Sequence, residues 1–128
     1  MSQCSASEFL LKDTTFQIIA AVIEVHKILG AGFLESVYQK ALVMELKLRG
    51  FDVKELTELS VRYKGDIVGT FIADIVVNDQ VILELKAVDK IHPAHEAQLL
   101  NYLKATGIRV GLLVNFGRDK AEYKRFVL

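Results

Sequence analysis

Three charged residues sit in stretches otherwise suited to burial. "FIADIVV" (71–77) carries Asp74 as its one charge, and "VILELKAV" (81–88) carries Glu84 and Lys86. Dehydrating an ion is expensive even after relaxation, so an apolar strand seldom holds charges without a partner, a metal or a solvated face. Side chains alternate along a strand, which puts Glu84 and Lys86 on one face about 7 Å apart, together with Ile82 and Val88. Asp74 is expected to share its face with Ile72 and Val76.

Whether the carboxylates meet depends on hairpin register. A two-residue loop at Asn78-Asp79 would pair Asp74 with Leu83 and send the acids to opposite faces. A three-residue loop, Asn78-Asp79-Gln80, places Asp74 across from Glu84 with Cβ atoms about 4.5–5.5 Å apart, and it keeps both apolar sets coherent. Two carboxylates that close repel, and in a dry site they do not both ionise. A hard cation such as Mg²⁺, with Mn²⁺ as its substitute, resolves the conflict. Asp74 and Glu84 would be ligands, and the backbone carbonyl of Leu85 a third. Lys86, one step further on, would hold and help deprotonate a water or stabilise charge developing on a phosphate. The plainer alternative is a Glu84–Lys86 ion pair on a half-exposed sheet, since E-x-K arises often by chance.

The surrounding pattern reads as helices, then strands. Residues 7–29 carry two adjoining apolar stripes, Phe16, Ile19, Ala20 and Ile23 beside Ile18, Val22, Val25 and Leu29, implying a helix covered on more than one side. "GAG" at 30–32 breaks it, and a second helix over 33–48 places Leu34, Val37, Tyr38, Ala41, Leu42, Glu45 and Leu48 on one side. Strands follow over 53–63, 67–77 and 81–88. Pro93 suits the first turn of a helix extending to about residue 105, closed by Gly107. "RVGLLVNF" (109–116) reads as a doubly covered central strand, and "EYKRFVL" as an optional edge strand. A helix between 81–88 and 109–116 makes those two strands parallel.

The third helix offers one polar face, with His95, Gln98 and Tyr102 at helical spacing. A solvent boundary explains it as simply, with Leu99, Leu100 and Leu103 packing inward. Glu35 and Tyr38 share a face of the second helix. A first-turn glutamate also suits the helix dipole, and Tyr38 an amphipathic core. His26 reads as a helix-face histidine without an assigned role.

Bulk properties set the limits. A chain of 128 residues suits one domain, here spanning 1–128. Sixteen basic and sixteen acidic residues cancel, which counts against non-specific coating of nucleic acid but not against a local basic cleft. Cys4 is the only cysteine, so an internal disulfide is excluded and a cysteine-based zinc site is disfavoured. With no leader pattern and no apolar run of about 18 residues, the expectation is a soluble cytoplasmic protein with no membrane partner.

The combination resembles a known pattern. "GFLESVY" (32–38) is similar to the signature of the GxxExxY protein family. Asp74 with Glu84-Leu85-Lys86 resembles the D…E-x-K core of the PD-(D/E)XK nuclease superfamily, to which that family is assigned. Gln98-x-x-x-Tyr102 resembles the Q-x-x-x-Y helix motif of its exonuclease-like recombination and repair branch. The resemblance covers roughly residues 8–126; one departure is Ala73, where the motif has proline. It implies an α+β restriction-endonuclease-like core, a mixed central sheet of about four to five strands flanked by helices in the order α-α-β-β-β-α-β(-β). It further implies that Asp74 and Glu84 bind Mg²⁺, that Lys86 assists the nucleophilic water, and that Glu35 joins directly or through water. Gln98, Tyr102 and Tyr38 would orient the site or the nucleic-acid backbone. The reaction implied is metal-dependent hydrolysis of a phosphodiester, with DNA ahead of RNA, in repair, recombination or defence. Two other functions compete: a non-catalytic nucleic-acid- or protein-binding module that kept the fold, and a homodimeric junction-resolving enzyme. Lys64, Lys90, Lys104, Arg109 and Arg118 are candidates for a phosphate-facing rim.

Overall fold

The apolar run after Gly107 becomes a strand with all six residues buried, Val110–Asn115, and the rest of the fold is arranged around it. The structure is a computed structural model that describes residues 11–128, so 7–10 of the first expected helix lie outside the described residues. In order the elements are α1 (Lys12–Leu29), α2 (Glu35–Leu48), β1 (Val53–Tyr63), β2 (Asp66–Val77), β3 (Val81–Lys86), α3 (Pro93–Thr106), β4 (Val110–Asn115) and β5 (Glu122–Val127). Among the described residues the strands form one five-stranded mixed sheet in the order β1-β2-β3-β4-β5. Only β3 and β4 pair in parallel, as the α3 crossover requires. The tail does form the fifth strand, antiparallel to β4.

Helices cover both faces. α1 and α2 pack on Ile75, Val77, Val81, Leu83, Leu85, Val110, Leu112, Val114 and Phe116. α3 packs through Leu99 and Leu103 on Ala73, Val76, Ile82 and Leu113. A Cβ at Gly111 would lie 2.9 Å from Leu99 Cδ1, so the missing side chain lets α3 close onto β4. Among the described residues α1 is covered on one side only. Ile18, Ala21, Val22 and Val25 are buried, but Phe16 and Ile23 are 70% and 50% exposed, so the expected double coverage does not form. On α2 the buried stripe is Tyr38, Leu42, Val43 and Leu46, with Leu34, Val37 and Leu48 turned to solvent. Both helices carry more apolar residues than one packed face can take up, and the surplus stays outside.

The β2–β3 hairpin adopts the three-residue register, with Ile75 opposite Leu83, Val76 opposite Ile82 and Val77 opposite Val81. Asn78 and Asp79 supply left-handed backbone at φ 53° and 55°, and the Gln80 N–H donates to the Val77 carbonyl at 2.9 Å. Short polar side chains tolerate that conformation best after glycine.

Regular pairing fails around Asp74. Leu56, its opposite number on β1, is missing from the β1–β2 ladder and has φ 48°, a costly value for leucine. Alternation inverts across this point. Ala73 and Leu59 face α3, whereas Ile75 and Val53 face α1 and α2. Asp74 therefore does not share a regular face with Ile72 and Val76: Ile72 is exposed, and Val76 is buried under α3. The cause is the left-handed residue, which rotates the chain between the two halves of the ribbon.

β3 ends at Lys86, two residues short of the expected end. Beyond it the Asn115 side chain takes over, accepting the Val88 N–H at 3.0 Å and donating to the Val88 carbonyl at 2.8 Å. Gly117 passes so close that a Cβ would sit 2.3 Å from the Val88 carbonyl oxygen.

Candidate active site

Asp74 and Glu84 meet where β2 and β3 part. Past Ile75–Leu83 the ladder is continued by side chains instead of carbonyls. The Asp74 N–H donates to Glu84 Oε1 at 3.3 Å, and the Leu85 N–H donates to Asp74 Oδ2 at 2.8 Å. Each carboxylate commits one oxygen to backbone and keeps the other without a hydrogen bond among the described residues. Because the N–H and C=O of one strand residue face the same neighbour, the Leu85 carbonyl faces the same gap.

Glu84 is only 5% exposed. Burial, then the adjacent Asp74 carboxylate, pushes its carboxyl up to about 8, with the Asp74 N–H and the Lys86 ammonium opposing. An acid pair with surplus negative charge, Glu84 buried and Asp74 half-buried, suits a hard divalent ion, which takes carboxylate, carbonyl and water oxygens. The residues present fit such an ion as a partial cage. Among the described residues no three Asp, Glu, His or Cys side chains converge as a ready set of ligands, so carbonyl and water oxygens would complete it.

Lys86 lies on the Glu84 face at half-buried depth, and its charge is felt by Glu84, Glu35 and His95. No salt bridge joins it to Glu84 among the described residues. The plain surface ion pair is thus not what forms.

Each helix layer contributes to the rim. Glu35 opens α2 as its first residue. Partial desolvation raises its carboxyl above the usual range, while Lys86 pulls it down and Asp74 pushes it up. From the next turn Gln39 Nε2 donates to the Asp74 carbonyl at 3.4 Å, a contact with no signal in the sequence. From α3, Gln98 Nε2 donates to the Tyr102 hydroxyl at 2.7 Å, and the Tyr102 ring stacks on Phe71 with centroids 3.8 Å apart. Burial raises the Tyr102 phenol, and the negative charges of Glu84 and Asp74 add to the shift. His95 closes the α3 capping box by accepting the His92 N–H at 3.3 Å on Nδ1. Desolvation lowers its imidazole, and Lys86 and then His92 lower it further.

Tyr38 is displaced from the role expected of it. It is fully buried, its hydroxyl donates to the Gly30 carbonyl at 2.5 Å and accepts the Phe33 N–H at 3.2 Å, and its ring stacks on Phe116 at 4.6 Å. It cannot touch a substrate. Its work is to fold the "GAG" turn back so that α2 starts with Glu35 beside the sheet. His26 completes the stack against Phe116 and donates from Nε2 to the Arg118 carbonyl at 2.7 Å, tying down the β4–β5 loop. Asn115 was also not anticipated. Its signal is a lone amide closing a wholly apolar run, and it further donates to Glu122 Oε1 at 3.1 Å.

A mixed sheet between helical layers, opened beside paired carboxylates on a D…E-x-K strand pair, defines a restriction-endonuclease-like core. A profile of the PD-(D/E)XK nuclease superfamily matches residues 12–126, and the chain belongs to that superfamily. The crystal structure of SSO0001 is similar, with a TM-score of 0.58 and 21% identity over 73% of this chain. This chain spans 50% of the length of that one, and at that identity the likeness is one of fold. No curated protein matches the sequence. Among the described residues no helix is long and apolar enough to cross a membrane.

Proposed function

We propose that the protein is a divalent-metal-dependent nuclease of the GxxExxY type, folded as one domain over 1–128, acting on DNA ahead of RNA in repair, recombination or defence. The observation that supports this best is the meeting of Asp74 and Glu84 at the break in the β2–β3 ladder, where burial, and then the neighbouring Asp74 carboxylate, hold Glu84 up to about 8.

In this reading Asp74, Glu84 and the Leu85 carbonyl would hold Mg²⁺ or Mn²⁺, and Glu35 would join directly or through water. Bound there, such an ion would supply Lewis-acid polarisation of the scissile phosphate and ease deprotonation of the attacking water. Lys86 orients the attacking water and neutralises charge building on the phosphate oxygens. Water oxygen bonds to phosphorus, giving up a proton to solvent, as the bond to the leaving strand's oxygen breaks and that oxygen takes a proton from solvent. Gln98 steadies the Tyr102 hydroxyl, which borders the phosphate path.

Incubation with Mg²⁺ or Mn²⁺ and single-stranded DNA, duplex DNA, branched DNA and RNA tests the proposal. Cleavage of at least one, lost in Lys86→Ala and Asp74→Ala with the fold intact by circular dichroism, is the expected result. Intact substrates throughout would sink catalysis. Calorimetric Mn²⁺ binding that Asp74→Ala abolishes would support an intact site, whereas nucleic-acid binding with no metal dependence would point to the non-catalytic module, which the balanced net charge favours. A dimer with two sites facing one substrate, seen by sedimentation, would point to the junction-resolving enzyme.

A further inference from the structure

The β1–β2 ribbon outruns the rest of the sheet. Its pairing continues to Tyr63 opposite Asp66, whereas β2–β3 pairing stops at Ile75 opposite Leu83. The projecting arm and the last turns of α3 enclose a groove of about 550 Å³, lined by Val61, Thr70, Phe71, Asn101, Tyr102 and Lys104 among others. That volume is in the range, roughly 300–1,000 Å³, of sites that take small organic groups. Tyr102 belongs to both the groove and the carboxylate site, and the Phe71–Tyr102 stack, 9° from parallel, forms part of the wall.

We propose that this groove seats the unstacked bases of a single-stranded nucleic acid whose backbone passes the Asp74–Glu84 site. The substrate is then a single strand or the frayed end of a duplex, not an intact duplex. The inference rests on the nuclease reading for its function but not for its binding.

Three observations carry it. First, apolar walls with a flat aromatic pair match base faces, which a duplex hides inside its stack. Secondly, the Asn101 amide and the Lys104 ammonium have no partner among the described residues, leaving one group for a base edge and one for a phosphate. Thirdly, sixteen acidic residues offset sixteen basic ones, and Glu58 and Asp66 lie on the arm beside Arg62 and Lys64. Phosphate contacts alone supply little affinity on such a surface, so base contacts must make up the difference.

Fluorescence anisotropy of the full chain in Ca²⁺ at fixed salt tests this, using labelled 12-nucleotide strands of DNA and RNA, their duplexes, and a strand of abasic sugars. At least one natural strand should bind about fivefold or more tighter than its duplex and than the abasic strand, the lower end of what a stacked base contributes. Ala105→Trp, which fills the groove, and Phe71→Leu, which removes a ring, should erase that preference. Lys104→Ala should weaken strand and duplex alike. Equal affinity for strand and duplex, full affinity for the abasic strand, or no binding of either natural strand overturns the groove. Cleavage is read separately. Strand preference without cleavage keeps the groove and removes the nuclease, whereas cleavage without strand preference does the reverse.

Discussion

The Asp74 carboxylate accepts the Leu85 N–H at 2.8 Å, the bond that a β2 carbonyl would have made had the ladder continued. One side chain thereby ends the pairing of two strands, holds the backbone beside Glu84 and sets the distance between two acids. The site and the break in the sheet are the same structural event.

Glu84 makes metal-free stability depend on pH. An unfolded glutamate gives up its proton near pH 4.3, whereas Glu84 keeps its own in the folded chain to about pH 8. The folded state holds the extra proton across that window, so stability falls as pH rises from about 4.5 to about 8. Thermal unfolding in EDTA should show this decline, and Glu84→Gln should flatten it while keeping an acceptor for the Asp74 N–H. Mg²⁺ or Mn²⁺, binding the ionised form, should raise the melting temperature most at the alkaline end. Parallel curves for wild type and variant would remove Glu84 as the cause.

Tyr38→Phe keeps the Phe116 stack and deletes the hydroxyl that joins Gly30 to Phe33. A buried hydrogen bond is worth about 1 kcal/mol, with more lost where a partner is left unpaired, so the variant should be about 1–3 kcal/mol less stable in urea. Nucleic-acid affinity should not change, since the ring never reaches a ligand. A selective loss of substrate binding at undiminished stability would return Tyr38 to the cleft.

Asn115→Ala strips Val88 of both of its side-chain partners, and Gly117→Ala drives a methyl against the Val88 carbonyl. Each should destabilise by about 2–4 kcal/mol, through unsatisfied buried groups in the first case and steric conflict in the second. Chemical denaturation would measure both. Because they disturb the same seam between the end of β3 and the β4–β5 loop, the double variant should fall short of the sum.

Leu56 bears backbone strain opposite Asp74. Leu56→Gly should be neutral or stabilising by up to about 1 kcal/mol, and Leu56→Val should be destabilising by more than about 1 kcal/mol, because a branched Cβ fits left-handed backbone worst. The reverse order would mean that the conformation carries no strain. If the kink positions Asp74, Leu56→Val should also weaken Mn²⁺ binding in calorimetry.

Much of the fold was legible from local pattern. Hydrophobic period and the positions of glycine and proline located the described helices and strands, and the apolar run at 109–116 announced a buried central strand. The parallel β3–β4 pair followed from the chirality of crossovers. The hairpin register, and with it the approach of Asp74 to Glu84, followed from loop length and coherent apolar faces. These features depend on neighbours in sequence or on rules that hold for any chain.

Other features needed the tertiary structure, because they arise from distant segments meeting. Strict alternation placed Asp74 with Ile72 and Val76, and the left-handed turn at Leu56, a residue that seldom adopts it, overrode that pattern. Tyr38 carries the same motif spacing whether it lines a cleft or props a turn; only its contact with Phe116, far along the chain, chose the turn. The surplus apolar residues on α1 and α2 gave no sign of which stripe would be covered, since sequence records hydrophobicity and only packing assigns a side. Asn115 and Gly117 acquire their roles through Val88, in the segment that follows β3. Chemistry-bearing residue types were written in the chain, and which of them face one another was decided by the closing of the sheet.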